Sequence, residues 1–290
     1  MSKDIRIKKG LNINLVGSAE QTTSKAVLSN VYAIQLSDFH GITPKMIVKQ
    51  GAEVKAGEPL FYNKNMENML FVSPVSGELV EIERGDRRRI LTLKILADKT
   101  QEAFAGAALD VEKASKEELK AALLKSGCWP FIKQRPYDVV ANPDATPKSI
   151  FVSGYSSAPL QADLDYVLQG KEKELQAAVA ALGKLTPGKV HVTIGDSGNS
   201  PLASLKGVEL HKVSGPHPAG LVGTHISKLD PINKGETVWT VAPQDLVIIG
   251  EYLLTGKFNA ERVVALVGSS VKAPKYYSTK IGAEISTFLY

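Results

Sequence analysis

A chain of 290 residues that is 43% hydrophobic and 22% charged has enough apolar material for a sizeable core, and its length suggests about two domains. Its longest apolar runs, such as Leu246 to Leu254 with Glu251 inside it, fall well short of the roughly 20 residues that span a bilayer, so no transmembrane segment is expected. A single cysteine, Cys128, excludes an intramolecular disulfide and leaves an iron–sulfur cluster, which takes about four thiolates, without ligands.

The N-terminus opens on Lys3, Asp4, Arg6, Lys8 and Lys9 among isolated isoleucines, without the apolar core of a secretory signal, and a cytoplasmic location is expected. The formal charge of +5 is modest, and its densest patch is Arg84, Arg87, Arg88 and Arg89 beside Gly85 and Asp86. Such a cluster reads either as a solvated hairpin tip or as a contact for acidic lipid headgroups or an acidic partner surface. No aromatic residues interleave with these charges as a base-stacking platform requires, so no nucleic-acid partner is expected.

Val48, Gly51, Val54, Gly57 and Leu60 recur every third position, the spacing of short strands meeting tight turns. Phe71, Pro74, Gly77, Leu79, Val80 and Ile82 give a second strand and turn, and Leu91, Leu93 and Ile95 alternate as a half-buried strand does. Two similar halves of this kind resemble the barrel-sandwich hybrid of biotinyl and lipoyl carrier domains, over approximately residues 28–96. A carrier attaches its group to a lysine at the hairpin between the halves. Here that stretch holds only Lys64, within Asn63-Lys64-Asn65-Met66, and the acidic or methionine neighbours of a carrier tip are missing, so Lys64 is read as an exposed loop residue.

Ser115 and Glu118 have capping-box spacing and start a helix that runs to Gly127, a residue able to take the left-handed conformation that ends one. Leu119, Ala122, Leu123 and Ser126 share a face of it, which marks a packing helix. Beyond it, strands are expected at Ile150–Ser153, Val190–Ile194 and Val208–Val213, helical patterning over Leu160–Leu182, a helix from Pro243 to Gly256 and a buried strand at Val263–Val267. This alternation predicts an α/β domain with a largely parallel sheet. Nucleotide binding is the commonest analogy for such a sheet, yet no G-x-G-x-x-G or Walker sequence follows any of these strands. The nearest loop, Gly195-Asp196-Ser197-Gly198-Asn199-Ser200, is a plain turn or an anion contact that Asp196 would oppose.

The most unusual stretch is Ser214 to His225, in which Gly215, Gly220 and Gly223, Pro216 and Pro218, and His217 and His225 fall together with Thr224. Proline restricts the backbone and glycine permits turns, so an ordered loop carrying two imidazoles is expected. His217 and His225 are either satisfied loop residues or catalytic groups, and with no third ligand beside them no metal site is expected.

This S-G-P-H-P-A-G-L-x-G-T-H-I string closely resembles the corresponding segment of the A subunit of the sodium-translocating NADH:quinone oxidoreductases. The segments LLKSGCWPFIKQRP (123–136), DATPKSIFV (144–152), WTVAPQDLVIIG (239–250) and TGKFNAERVVALVG (255–268) resemble that family in the same order. The resemblance implies a barrel-sandwich hybrid domain with an N-terminal extension over 1–110, a Rossmann-like α/β domain related to the flavoprotein subunit of complex I over 111–272, and the start of a ubiquitin-like β-grasp domain over 273–290. Family members are longer, so the chain is expected to be a fragment of about two thirds of the family's length.

The resemblance also implies a peripheral subunit on the cytoplasmic face of the bacterial membrane. Its partners would be the other subunits of a six-subunit complex that moves electrons from NADH to quinone and exports sodium, with the flavins and iron–sulfur centres held by those partners. For this chain it implies no tightly bound cofactor, no metal and no catalytic residue, with quinone as the ligand it could contact. An autonomous flavin- and NADH-binding oxidoreductase of the related fold, or a pure assembly scaffold, are the alternatives.

The flavin-binding relatives carry a loop resembling G-x-G-G-A-x-F-P-T after the first helix. Here the position reads Gly127-Cys128-Trp129-Pro130-Phe131-Ile132-Lys133, whose side chains, and the donor that proline lacks, deny a phosphate the close backbone approach it needs. The same exchange gathers Trp129, Phe131, Lys133 and Arg135 around that pocket, a mixture able to hold a quinone ring against apolar faces with a donor to its carbonyl. In the competing reading Trp129 and Phe131 are core residues and Lys133 and Arg135 surface charges.

Overall fold

Alternating burial along short strands builds the first domain. In the computed structural model, which describes residues 3–196 and 199–288, one sheet runs in the order Val31–Gln35, Ile90–Ala97, Gly77–Arg84, Glu53–Val54, with every neighbour antiparallel. A second joins Pro44–Met46, Pro59–Asn63 and Met66–Val72. Tyr32, Leu60, Phe61, Leu79, Leu93 and Ile95 are buried together in one core, and Phe61 stacks on Phe71 with centroids 4.5 Å apart. Lys64 and Asn65 make an exposed two-residue turn. Leu91 departs from the expected alternation: it is 39% exposed while Ile90 is buried, because the pairing register shifts opposite it, between Glu83 and Arg84.

In the second domain, helix α1 (Lys116–Lys125) opens on the expected capping box. Glu118 N–H donates to Ser115 Oγ at 3.2 Å and Ser115 N–H to Glu118 Oε2 at 2.8 Å. The pattern expected over Leu160–Leu182 divides into α2 (Leu164–Val167) and α3 (Glu172–Leu185), because Gly170 between them takes φ 75°. Helix α4 spans Val222–Leu229, and α5, Pro243–Thr255, begins on its proline and ends at Gly256 with φ 71°.

The domain's sheet has the order Ile5–Arg6, Glu209–Ser214, Val190–Gly195, Ile150–Ser153, Val238–Val241, Lys133–Arg135, Val139–Val140. The first five strands are parallel and the last two antiparallel. Both faces are covered, which is why Val190–Ile194 is buried without alternation. Ile150 and Val152 join the core that contains α3 and α5, whereas Phe151, pointing the other way, packs with Ile226 and Val222 of α4. From Ile150–Ser153 the chain builds outward on one side, then returns through α4 to Val238–Val241 on the other, so the connections reverse at that strand pair. In open α/β sheets the carboxyl ends at such a reversal frame a crevice.

Two strands lie elsewhere than expected. Ile5–Arg6, from the segment grouped with the first domain, forms an edge of the second domain's sheet. Glu261–Leu266, expected as a buried strand of the parallel sheet, is only part-buried. It pairs antiparallel with Lys275–Lys280, which takes Glu20–Lys25 in parallel on its other side. This hairpin straddles the expected boundary at residue 272.

Candidate functional site

Residues 129–135 pass from a single 3-10 turn into the strand Lys133–Arg135, which pairs with Val238–Val241. Trp129 points into the core: it is fully buried, its indole N–H donates to the Ala141 carbonyl at 2.8 Å, and its ring meets Trp239 edge-on at 5.5 Å. Phe131 is half-buried and lies parallel to Phe258 with centroids 6.4 Å apart. Lys133 Nζ donates to the Asp38 carbonyl at 3.3 Å and sits 5.8 Å above the centre of Phe39. Arg135 turns to Asp138, 3.4 Å away.

Phe131 and Lys133 border open space, and Trp129 and Arg135 stand behind them. One cavity of about 530 Å³ opens at the carboxyl ends of Ile150–Ser153 and Val238–Val241, beside the first residues of α4 and α5, with Ser153, Gln161, Leu221 and Thr240 in its wall. A second, of about 630 Å³, lies between Phe39 of the first domain and Val264, Leu266, Ile281 and Phe288 of the C-terminal segment. Phe131, Lys133, Asp245 and Arg262 belong to both walls. A third, apolar cavity of about 60 Å³ is enclosed by Phe39, Pro130, Phe258 and again Phe131, so one ring borders all three.

Charge enters the wall shared by the two larger cavities through three side chains. Asp245, in the first turn of α5, is ion-paired with Arg262. Burial pushes the Asp245 carboxyl up, while the Arg262 guanidinium and Lys133 hold it down. Burial likewise pushes the Lys133 ammonium down, against Asp138, Asp245 and Asp38. Cys128 is buried beside the site and its thiol is pushed up to about 12 by burial, which makes it a poor nucleophile. The junction therefore offers apolar faces with cationic donors at its rim. Asp245 and Arg262 are not marked by any local motif; the available signal was an acid in the first turn of a mostly apolar helix.

The glycine- and histidine-rich segment is a loop only in its first half, since Gly223, Thr224 and His225 lie in α4. Val222, Ile226 and Leu229 share an apolar face against Phe151 and Val238, and that helical face outweighs the turn chemistry of the preceding glycines and prolines. Gly215 has φ 118° and passes so close to Ile7 that a Cβ would lie 2.1 Å from its carbonyl oxygen. Pro216 before His217 and Pro218 after it shape the bend, with the His217–Pro218 bond cis. His217 Nδ1 is 3.1 Å from Ser157 Oγ, which accepts from Gly220 N–H at 2.8 Å. His225 is fully buried: its Nε2 faces the Ala219 carbonyl at 2.7 Å and so carries the hydrogen, and its Nδ1 lies 3.1 Å from the Thr193 hydroxyl. Of the signature residues only Gly220 reaches the cleft wall; His225 ties the loop to the sheet through Ala219 and Thr193, and His217 ties it to Ser157 in the segment that follows Ile150–Ser153.

Among the described residues no three His, Cys, Asp or Glu side chains stand together as a metal site would need, and no helix is long and apolar enough to cross a membrane. In the loop after Val190–Gly195, Ser197 and Gly198 lie outside the described residues.

Fold and cleft together define a barrel-sandwich hybrid followed by an α/β domain, with a cation-rimmed apolar crevice where the chain's parts meet. Three family descriptions match in succession: the NqrA N-terminal barrel-sandwich hybrid domain over residues 5–98, the NqrA second alpha/beta domain over 114–258, and the NQRA C-terminal domain over 263–290. The chain belongs to the NqrA family, the A subunits of the Na(+)-translocating NADH-quinone reductases. It is 36% identical over 286 residues to the family member of Neisseria meningitidis serogroup A, and 35% identical over 285 residues to that of Serratia proteamaculans. Each alignment covers 97% of this chain and 64% of the relative, so the chain spans just under two thirds of the length of the curated relatives it matches.

Proposed function

We propose that this chain works as the peripheral NqrA subunit of a sodium-translocating NADH:quinone oxidoreductase, on the cytoplasmic face of the membrane. In this reading it contacts quinone at the Phe131 junction and assembles with partner subunits that hold the flavins and iron–sulfur centres. The observation that carries the reading is the junction itself, where Phe131 borders three cavities and Lys133 and Arg262 stand at the rim of two of them.

A quinone is a flat apolar ring with two carbonyl acceptors. Phe131 and Phe39 supply apolar faces, and Lys133 and Arg262 supply donors. When a quinone takes up electrons from a partner's centre, negative charge grows on its oxygens, and fixed cations in an apolar wall stabilise that charge more than they would in water. Trp129 supports Phe131 from behind, and Arg135 anchors the strand that carries Lys133.

The parallel sheet with its reversal supports a Rossmann-like ancestry shared with the flavoprotein subunit of complex I. The 3-10 turn of Trp129, Pro130 and Phe131 argues against a flavin phosphate in that place. We further propose a division near residue 110 and one near 272 that the hairpin of Glu261–Leu266 and Lys275–Lys280 bridges, with the last segment beginning a β-grasp domain.

Titration of the purified chain with a short-chain quinone analogue, monitored by calorimetry, tests the reading. Replacing Phe131 by alanine should weaken binding about tenfold, the loss expected for one aromatic contact. Unchanged affinity rejects the junction as the quinone site. A yellow protein with flavin absorbance would instead favour the autonomous flavoenzyme, and a colourless chain that binds neither ligand would favour the scaffold.

A further inference from the structure

The hairpin between Gly77–Arg84 and Ile90–Ala97 closes through Asp86, Arg87, Arg88 and Arg89. Arg89 N–H donates to the Asp86 carbonyl at 3.1 Å, and Gly85 N–H donates to the Arg89 carbonyl at 2.8 Å. Arg87 and Arg88 are thus the central residues of a four-residue turn, and both are left-handed, with φ 54° and 62°. Turns with two positive φ values are dominated by Asn-Gly and Asp-Gly, because a side chain at either position strains the backbone. This chain holds arginine at both.

Asp86 is the one acid within this turn. Arg84, Arg87, Arg88 and Arg89 are exposed, and among the described residues none of them makes an ion pair. Of the acids on the adjoining strand, Glu81 and Glu83 share Lys94, at 2.9 Å and 4.0 Å. Arg84 Nη1 donates to the Arg88 carbonyl at 3.0 Å and so pins the strained turn. Beside the tip Leu91 is 39% exposed, turned outward by the register shift described above. A merely solvated hairpin needs neither the strain nor the four cations.

We propose that this hairpin tip docks the chain on a membrane surface through anionic phospholipid headgroups. Guanidinium forks match phosphate oxygens two at a time, the negative surface potential of such a membrane attracts clustered arginines, and Leu91 enters the headgroup layer beside them. A convex tip suits headgroups better than an acidic protein, since a stable protein interface takes about 800 Å² from each partner. The tip shares no residue with the Phe131 junction, so the docking does not depend on the quinone reading.

Sedimentation with vesicles of phosphatidylcholine alone, and of phosphatidylcholine mixed with phosphatidylglycerol, tests this. The chain should bind only the mixed vesicles, and less as salt shortens the reach of its charges. Arg87→Asn with Arg88→Gly gives the turn its preferred residues, so this variant should melt at a higher temperature than the parent while losing about thirtyfold in vesicle affinity. Its quinone titration should match the parent's. Higher melting temperature together with lost binding supports the docking site and separates it from unfolding. Equal binding to both vesicle types, no binding by the parent, or unchanged binding by the variant overturns it. So does full displacement by inorganic phosphate where chloride of equal ionic strength has no effect, which would assign the tip to the free anion.

Discussion

Toward one edge of the seven-stranded sheet, Lys3 N–H donates to His211 Nδ1 at 3.0 Å, which leaves the ring hydrogen on Nε2 to be donated to His191 Nδ1, also at 3.0 Å. Toward the other edge, Lys133, Asp245 and Arg262 carry their charges beside open cavities. The two histidines are bonded to each other: each imidazole is held below its ordinary pKa by burial, and Phe151 stacks on His191 at 4.9 Å. The cleft cations lean on Asp245 and on the Asp38 carbonyl, with space left beside them for a guest. Buried polar groups that satisfy each other hold a sheet together; those at a cavity wall are available to a ligand.

Trp129 offers the most severe way to break this contrast. Its replacement by alanine should cost about 4 kcal/mol, because the Ala141 carbonyl loses its donor and Trp239 its neighbour. Denaturant unfolding measures this. A loss under about 1 kcal/mol would move Trp129 out of the core and into the cleft.

Acid attacks the closed side next. Burial, helped by His211 and Lys189 and opposed by Asp230 and Glu209, lowers His191 to about 4. As the pH falls through the ordinary imidazole value of 6.5, the unfolded chain takes up its proton before the folded one does. The contribution is therefore complete above that pH and gone by about 4, a loss of about 3 kcal/mol at most. Melting curves at neutral pH and near the lower limit should show it, and His191→Gln should flatten the dependence. An unchanged slope in that variant would place the acid sensitivity elsewhere.

Phe131→Leu sharpens the open side with the smallest effect. Stability should change by less than about 1.5 kcal/mol, because the ring is only half-buried and borders three cavities. A loss as large as that at Trp129 would make Phe131 a core residue and undo the contrast.

Local chemistry made much of the fold legible. Ser115 with Glu118 marks a helix start by hydrogen bonds that reach only a few residues, and Pro243 and Gly256 mark helix ends by their own backbone preferences. The break between α2 and α3 was hidden because leucines flank Gly170 on both sides in helical spacing. Helix α4 was hidden because Gly215, Pro216, Pro218 and Gly220 give the whole segment the composition of a loop. Of the site, Phe131 and Lys133 could be read from one continuous string. Asp245 and Arg262 could not, since their ion pair exists only when the first turn of α5 meets the strand Glu261–Leu266, a tertiary event without local periodicity. Ile5–Arg6 and Glu20–Lys25 escaped for the same reason.

The parallel pairing of Glu20–Lys25 with Lys275–Lys280 also sets a timetable for synthesis. The barrel domain finds all the strands of its two sheets by Ala97 and can close while the ribosome is still at work. Glu20–Lys25, made earlier than any of them, must wait until Lys275–Lys280 has emerged before its partner exists. Long-range strand pairing is slow to form and leaves unpaired backbone exposed in the meantime. A nascent chain stalled short of Lys275 would therefore present a finished barrel preceded by an unpaired strand, a form exposed to aggregation.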